Sequence, residues 1–226
     1  MALLLHIDTA LEKAFVGLSR DGALLMERSN TVQYDHAAFV QPAIQQMIGA
    51  LRIHIGAIDA VGVTSGPGSY TGLRVGMASA KGICYALGKP LLAVNTLKAM
   101  TAAATESFPG FDLYAPMIDA RRNEVYTALY DAHGEEVLSP RAAIVSGDLF
   151  AQVPERKKIL CFGSGSLKWE AAQVKGTACF EQVGYNGIHL SRLLFNAFKN
   201  NDFCNLPYTE PLYVKDFYFG TSKKAK

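Results

Sequence analysis

The chain has 226 residues, half of them hydrophobic, which is enough for one large domain or two small ones with a sizeable core. Its 22 basic and 20 acidic residues leave a net charge of +2, so it lacks the broad positive field of a dedicated nucleic-acid binder. Four cysteines, Cys84, Cys161, Cys179 and Cys204, form no C-x-x-C pair, which argues against a zinc or redox motif and fits a reducing compartment. The opening MALLLHIDTA holds a five-residue apolar run, and no stretch approaches the ~20 apolar residues of a membrane span, so a soluble, cytoplasmic protein without a membrane partner is expected.

Leu3–Ile7 is predicted as a buried strand, followed by Asp8-Thr9-Ala10 and a second strand over Ala14–Ser19. Arg20-Asp21-Gly22-Ala23 is a hairpin turn, and Leu24–Asn30 returns as a third strand. Asp35 is placed to cap a helix running to about Arg52, with Val40, Ile44, Met47, Ile48 and Leu51 in helical period and Pro42 giving either a kink or the true first turn. Ile58–Val63 is the next strand and leads into Gly66-Pro67-Gly68-Ser69-Tyr70-Thr71-Gly72. From Gly66 the spacing is G-x-G-x-x-x-G, one residue longer than the dinucleotide fingerprint, and no Gly-Lys-Ser/Thr follows as in a P-loop. The loop is therefore either a tight turn or an anion site at the start of a helix.

The helix after the loop runs to about Leu87. Leu73, Met77, Ala80, Cys84 and Leu87 make an apolar stripe, and Val75, Ser79, Gly82 and Ala86 make a small-residue stripe beside it. Gly76 and Gly82 each weaken a helix by roughly 1 kcal/mol relative to alanine, so close packing by the sheet, another helix or a partner protein is expected. Pro90–Val94 is a strand, Thr96–Thr105 a helix, and Phe108-Pro109-Gly110 a turn at a domain boundary.

The opening pattern then recurs. Tyr114–Ile118, Asp119-Ala120, Val125–Tyr130, the turn Asp131–Gly134 and the return Glu135–Leu138 repeat strand, acidic turn, strand, turn, strand. Ile7-Asp8-Thr9 aligns with Ile118-Asp119-Ala120, Phe15 with Tyr126 and Leu18 with Leu129. Ser146–Gln152 and Ile188–Lys199 are expected as helices, Lys158–Phe162 and Leu212–Val214 as strands, and Lys223, Lys224 and Lys226 as a disordered tail. A duplicated α/β architecture follows, with lobes at 1–107 and 108–226 and the helix at about 188–199 packing back on the first. In a vestigial nucleotide cleft between them, Asp8 and Thr9 line one side, Asp119 the other, and Gly163 and Gly165 the far loop. As strand-end turn formers, the two aspartates have an equally simple structural explanation.

The run IDAVGVTSGPGSYTGLRVGMASAKGICYALGKPLLAVNTL resembles the signature of the TsaB (YeaZ) family, as do HIDTA, the His36–Pro42 helix, PMIDARRNEVYTALYD and PLYVKDF. This resemblance implies the actin/Hsp70/sugar-kinase-like (ASKHA) fold and a non-catalytic role beside a related TsaD-like catalytic subunit. With a TsaE-like ATPase, such a complex installs threonylcarbamoyl on N6 of adenosine 37 in tRNAs reading ANN codons. The resemblance also implies that ATP and the metal belong to the partner subunits, that tRNA is met through the complex, and that the chain alone can form a homodimer through the same surface.

The residues fit that absence of chemistry. TsaD-like subunits hold a metal with H-x-x-x-H on the second helix, but here His36 is followed at i+4 by Val40, and His6, His54, His133 and His189 are isolated in sequence. Ala10 stands where Asp-x-Gly-Thr proteins have the glycine that wraps a phosphate. G-x-S-x-G is absent, and Ser65 and Ser69 have no triad partner. Arg121 and Arg122 are placed for an anion such as phosphate or RNA, or are solvated turn residues. The expected docking surface comprises Val40, Ile44 and Met47 of the first helix with Val75, Ser79, Gly82 and Ala86 of the second. The rivals are a nucleotide-dependent phosphotransferase of the same fold and a tRNA-binding module built on Arg121, Arg122 and the lysine tail.

Overall fold

A computed structural model describes residues 1–32, 35–146, 149–154, 156–172 and 178–215. Strands β1 (Leu3–Asp8), β2 (Ala14–Arg20), β3 (Ala23–Asn30), β4 (Ala60–Gly66) and β5 (Leu91–Asn95) form one sheet in the order β3-β2-β1-β4-β5. Strands β6 (Leu113–Asp119), β7 (Glu124–Asp131), β8 (Glu136–Ile144), β9 (Ile159–Phe162) and β10 (Ala178–Glu181) form a second, in the order β10-β9-β6-β7-β8. Each sheet joins an antiparallel three-strand meander to two parallel strands, so the topology is duplicated. β1 is buried along its whole length, as expected of a central strand covered on both faces, and its sequence is accordingly a near-continuous apolar run.

Helices α1 (His36–Leu51) and α2 (Tyr70–Leu87) cover the outer face of the first sheet. Leu5, Ile7, Val40, Ile44, Met47, Met77 and Cys84 close that core. The inner face packs on α5 (Gly187–Lys199) through Leu4, Phe15, Leu190 and Leu194. Between the sheets lies α3 (Thr96–Ser107), whose Leu97, Met100 and Ala104 meet Tyr114, Ile118 and Phe162 of the second. The outer face of that sheet is closed by Trp169 of α4 (Ser166–Ala172) with Phe150 and Leu149. The last described stretch, residues 200–215, returns over α2 as an extended strap.

Pro42 sits inside α1 and is not its first turn; Asp35 occupies the N-cap position without a side-chain capping bond. The strand expected to run on from Glu135 extends to Ile144, and α4 and β10 are elements that short, weakly periodic sequence did not announce. Around Ser146–Gln152 the described residues make turns, closed by Leu149 N–H to Ser146 O and Val153 N–H to Phe150 O, while Gly147 and Asp148 lie outside the described residues. Leu212–Val214 is not a ladder strand; its Leu212 amide donates to Ser65 O at 2.7 Å. The lysine tail also lies outside the described residues. Among the described residues, no helix is long and apolar enough to cross a membrane.

Candidate functional site

The glycine-rich loop is filled by its own chain. A Cβ on Gly68 would press on Ala10 O, one on Gly72 on Thr9 O, and one on Gly76 on the Thr9 hydroxyl. Ser69 N–H donates to Ala10 O at 2.8 Å, and Thr9 Oγ1 donates to Gly72 O at 2.6 Å. Gly66, at φ +115°, combines a backbone that disfavours a side chain with a Leu212 carbonyl 2.7 Å from where its Cβ would stand. The loop is thus a tight turn packed against the β1–β2 turn and the strap. The helix start has its own cap, with Ser69 Oγ accepting from Gly72 N–H.

Asp8 does not line an open cleft. Its residue is fully buried, its Oδ1 accepts from Ala10 N–H at 2.8 Å, and its Oδ2 accepts from Tyr185 O–H at 2.7 Å. Burial raises the Asp8 pKa against these hydrogen bonds, while burial and the adjacent carboxyl push the Tyr185 phenol well up, so the phenol keeps its proton. Thr9 is buried as well. Nearby His6 is fully buried with neither ring nitrogen hydrogen-bonded, and burial lowers its pKa to about 3.

Asp119 is not the counterpart of Asp8. Phe15 and Tyr126 both face the interior between the sheets, and Leu18 and Leu129 both face the outer cores, so β2 and β7 keep the aligned register. On the neighbouring strands, however, Phe15 pairs with Asp8 whereas Tyr126 pairs with Ile118. Ile118 is therefore the residue equivalent to Asp8, and Asp119 is equivalent to Thr9. The one-residue slip turns the side chain to the other face. Asp119 is exposed; its Oδ1 accepts from Arg121 N–H at 2.6 Å and from Lys168 Nζ at 2.5 Å. Its partial burial works to raise its pKa, but Lys168 and the Arg121 amide hold it below the ordinary carboxylate range.

Gly163 and Gly165 do not face Asp8 either. A Cβ on Gly163 would press on Met117 O, and one on Gly165 would stand 2.7 Å from Val125 Cγ1, so this loop packs against its own lobe. Arg121 and Arg122 are exposed at the β6–β7 tip, at φ 64° and 50°. They line a cleft of about 360 Å³ together with Gly68, Tyr126, Leu212 and Lys215.

On the outer face, Val40, Ile44 and Met47 are 0, 3 and 0% exposed, so they belong to the first core and are not the surface that was expected of them. Helical periodicity had found an apolar face but had assigned it to the wrong neighbour. Val75 and Ser79 are half-buried, and Val75 packs on the same core; Gly82 and Ala86 are exposed, with nothing within 4 Å of a Cβ on Gly82. What α1 does offer outward is Ala37, Ala38, Gln41, Pro42, Gln45 and Gln46. The helix carries no Asp, Glu, Lys or Arg over its 16 residues. In α2 the only charged side chains are Arg74 and Lys81, and both turn to the strap: Arg74 Nε donates to Tyr213 Oη, and Lys81 Nζ donates to Pro207 O and Thr209 O. His36, the one α1 histidine, is buried and donates from Nε2 to Leu11 O at 3.2 Å, with buried Val40 one turn on. Among the described residues, no group of three metal-ligating side chains comes together.

Sequence reasoning missed Tyr185, Lys81 and Lys168. Each acts on a partner at least 44 residues away, and no local pattern marks them.

Duplicated meander-plus-parallel sheets around a central helix define a two-lobed actin-like protein, here with its glycine-rich loop packed against the β1–β2 turn. The family described as TsaD, tRNA N6-adenosine threonylcarbamoyltransferase, matches residues 30–205. The tRNA threonylcarbamoyladenosine biosynthesis protein TsaB of Bacillus subtilis is 29% identical over 161 residues, covering 70% of this chain and 69% of that protein. The TsaB of Escherichia coli is 33% identical over 146 residues, covering 61% of this chain and 62% of its own length. The structure of YeaZ from Pseudomonas aeruginosa superimposes with a TM-score of 0.78 at 25% identity, covering 95% of this chain and all of that one. The chain belongs to the TsaB (YeaZ) branch of this threonylcarbamoyltransferase family.

Proposed function

We propose that the chain acts in tRNA threonylcarbamoyladenosine biosynthesis as a non-catalytic subunit that docks and activates a TsaD-like catalytic subunit. In this reading the complex transfers threonylcarbamoyl to N6 of adenosine 37 in tRNAs reading ANN codons. ATP and the metal are handled by the catalytic subunit and a TsaE-like ATPase. One observation carries the proposal. Two adjacent helices on the protein surface present alanine, glycine, glutamine and proline outward, where a solvated helix ordinarily carries charge. Small residues let another helix approach closely, and a standard interface of ~800 Å² per partner is within the reach of two such helices. The non-catalytic part of the reading is supported by the capped Asp8, the occupied glycine loop and the inward-turned His36 beside Val40.

The test is Gly82→Leu. The exposed site has room for the side chain in the isolated protein, and leucine is a better helix former than glycine, so thermal stability should stay near wild type or rise slightly. Complex formation with the catalytic subunit on a sizing column, and threonylcarbamoylation by the reconstituted complex, should both fall sharply. Normal assembly by a folded Gly82→Leu protein would reject the outer helix face as the docking site.

A further inference from the structure

The strap after α5 is anchored along its length. Cys204 N–H donates to Leu91 O on β5, the last strand of the first sheet, and Leu206 packs on the outer core. A turn over 205–209 is closed by Thr209 N–H and Oγ1, both donating to Asn205 O. Lys81 Nζ then holds Pro207 O and Thr209 O at 3.1 and 3.0 Å. Two turns back along α2, Arg74 donates to Tyr213 Oη and lies 4.0 Å over the Tyr70 ring, which itself stands 5.3 Å from the Tyr213 ring. Lys215 closes the run on Glu124 of the second lobe. The strap therefore runs antiparallel to α2, along its Tyr70, Arg74 and Lys81 side.

This gives the docking face a wall. Ala78, Gly82 and Ala86 are the exposed small residues of α2 and form the floor, with the strap running along it. Large side chains are left exposed along the strap side: Tyr85 at 84%, Tyr208 at 81% and Leu212 at 40%. Tyr208 lies between the two carbonyls that Lys81 grips, and Tyr85 is one turn of α2 beyond Lys81. Tyrosines held by a fixed backbone are the residues that dominate protein–protein contacts, because they bury a large rigid ring at low entropic cost and keep a hydroxyl at the wet rim.

Resting on the reading above, we propose that the 204–213 strap is part of the docking surface, with Tyr208 and Tyr85 as anchors for one helix of the catalytic subunit laid in this trough. Lys81 is a positioning residue that sets the strap without touching the partner. The charge of the wall selects the occupant. Arg74 and Lys81 are both turned onto the strap and Glu210 adds a negative charge, which is the wrong balance for an RNA backbone that needs several free cations. A neutral helical face of a protein matches it.

The experiment measures the affinity of the full-length chain for the TsaD-like subunit by titration calorimetry. Tyr208→Ala should weaken binding at least tenfold with an unchanged thermal midpoint, since an exposed ring contributes little to the fold. Lys81→Met should weaken it comparably, Lys81→Arg should largely restore it, and Tyr208→Ala combined with Lys81→Met should cost less than the product of the two single effects. Protection of the 207–213 amides from hydrogen exchange should rise on complex formation. Wild-type affinity in Tyr208→Ala overturns the strap proposal while leaving the helix face intact, provided Gly82→Leu still abolishes binding. Full additivity of the double variant rejects the positioning role of Lys81. No binding by the wild-type chain rejects both readings together.

Discussion

In the first lobe the β1–β2 turn is buried at its start, while Glu12 and Lys13 at its far end are exposed. Asp8, Thr9 and Ala10 are at most 1% exposed, with Tyr185 on one side and the backbones of Gly68 and Gly72 on the other. In the second lobe the β6–β7 turn stands in solvent, with Arg121 and Arg122 at left-handed backbone angles and Lys168 holding it from below. The two turns join equivalent strands of a duplicated sheet, yet one is packing and the other is surface. Duplication preserved the hydrogen-bonded frame, while local burial decided which polar groups remain available. A carboxylate that ends a central strand is therefore not a functional marker in itself; what matters is whether its oxygens are already committed.

The strongest way to break this contrast is Gly72→Ala. The new methyl would be driven into the Thr9 carbonyl, a backbone atom that cannot swing aside, so the turn or the start of α2 must move. Overpacking of this kind costs about 3 kcal/mol, to be measured by urea denaturation. Ala120→Gly in the second-lobe turn should change stability by less than ~1 kcal/mol, because it adds no atom to the turn and acts mainly through the freedom of the unfolded chain. Equal effects from the two substitutions would show that the turns are packed alike.

Next in size is Tyr185→Phe, which leaves Asp8 Oδ2 buried without the phenol and should cost about 2 kcal/mol. Its effect should grow as pH rises, because removing the donor penalises the charged carboxylate and not the neutral acid. His6 sharpens the same region from the other side. Its folded pKa is about 3 against an ordinary 6.5, so below pH 6.5 the unfolded chain takes up a proton that the folded one refuses. Stability contributed by the neutral ring is complete above pH 6.5, falls by about 1.4 kcal/mol per pH unit below it, and levels off near the folded value. Asp8, with its pKa raised above 3.8, acts in the opposite sense: the folded state holds its proton longer, so its contribution is lost as pH rises through that raised value. His6→Leu should remove most of the slope of thermal midpoint against pH between 6.5 and 4. An unchanged slope would place the acid sensitivity elsewhere.

Much of this frame was legible in residues 1–131. The Asp21-Gly22 turn, the apolar stripe of Leu73, Met77 and Ala80, and the glycine loop between β4 and α2 are local patterns that physics ties to one geometry. The outer face of α1 was harder. Its period isolates Val40, Ile44 and Met47 as one apolar face, but periodicity cannot say whether a sheet or a partner covers it, and the informative residues were the uncharged ones opposite. The repeat was visible in the letters, yet Ile-Asp matched Ile-Asp one position out of structural register, because the second hairpin carries one residue more between equivalent pairs, Ile118 with Tyr126 against Asp8 with Phe15. Lys81 with Thr209, and Asp8 with Tyr185, lie 128 and 177 residues apart, so only the folded chain brings them together.

The smallest expected effect comes from Lys168→Met. Lys168 Nζ bonds the Asp119 carboxylate at 2.5 Å, Arg122 O at 2.7 Å and Glu124 O at 3.4 Å, so it gathers three acceptors of one exposed turn. With Asp119 43% exposed, water takes over most of what the ammonium supplied, and the loss of stability should stay below ~1 kcal/mol. The consequence should be local. Asp119 loses the neighbour that favours its charged form, so its pKa should rise toward the ordinary carboxylate value, observable by NMR titration of its side-chain carbonyl carbon. The Tyr185–Asp8 bond, in the other lobe, should be untouched, and the acid slope set by His6 should stay as in the wild type. A global loss of stability as large as that from Tyr185→Phe would mean that the second-lobe turn is as deeply committed to the fold as the first, and the contrast between the two would collapse.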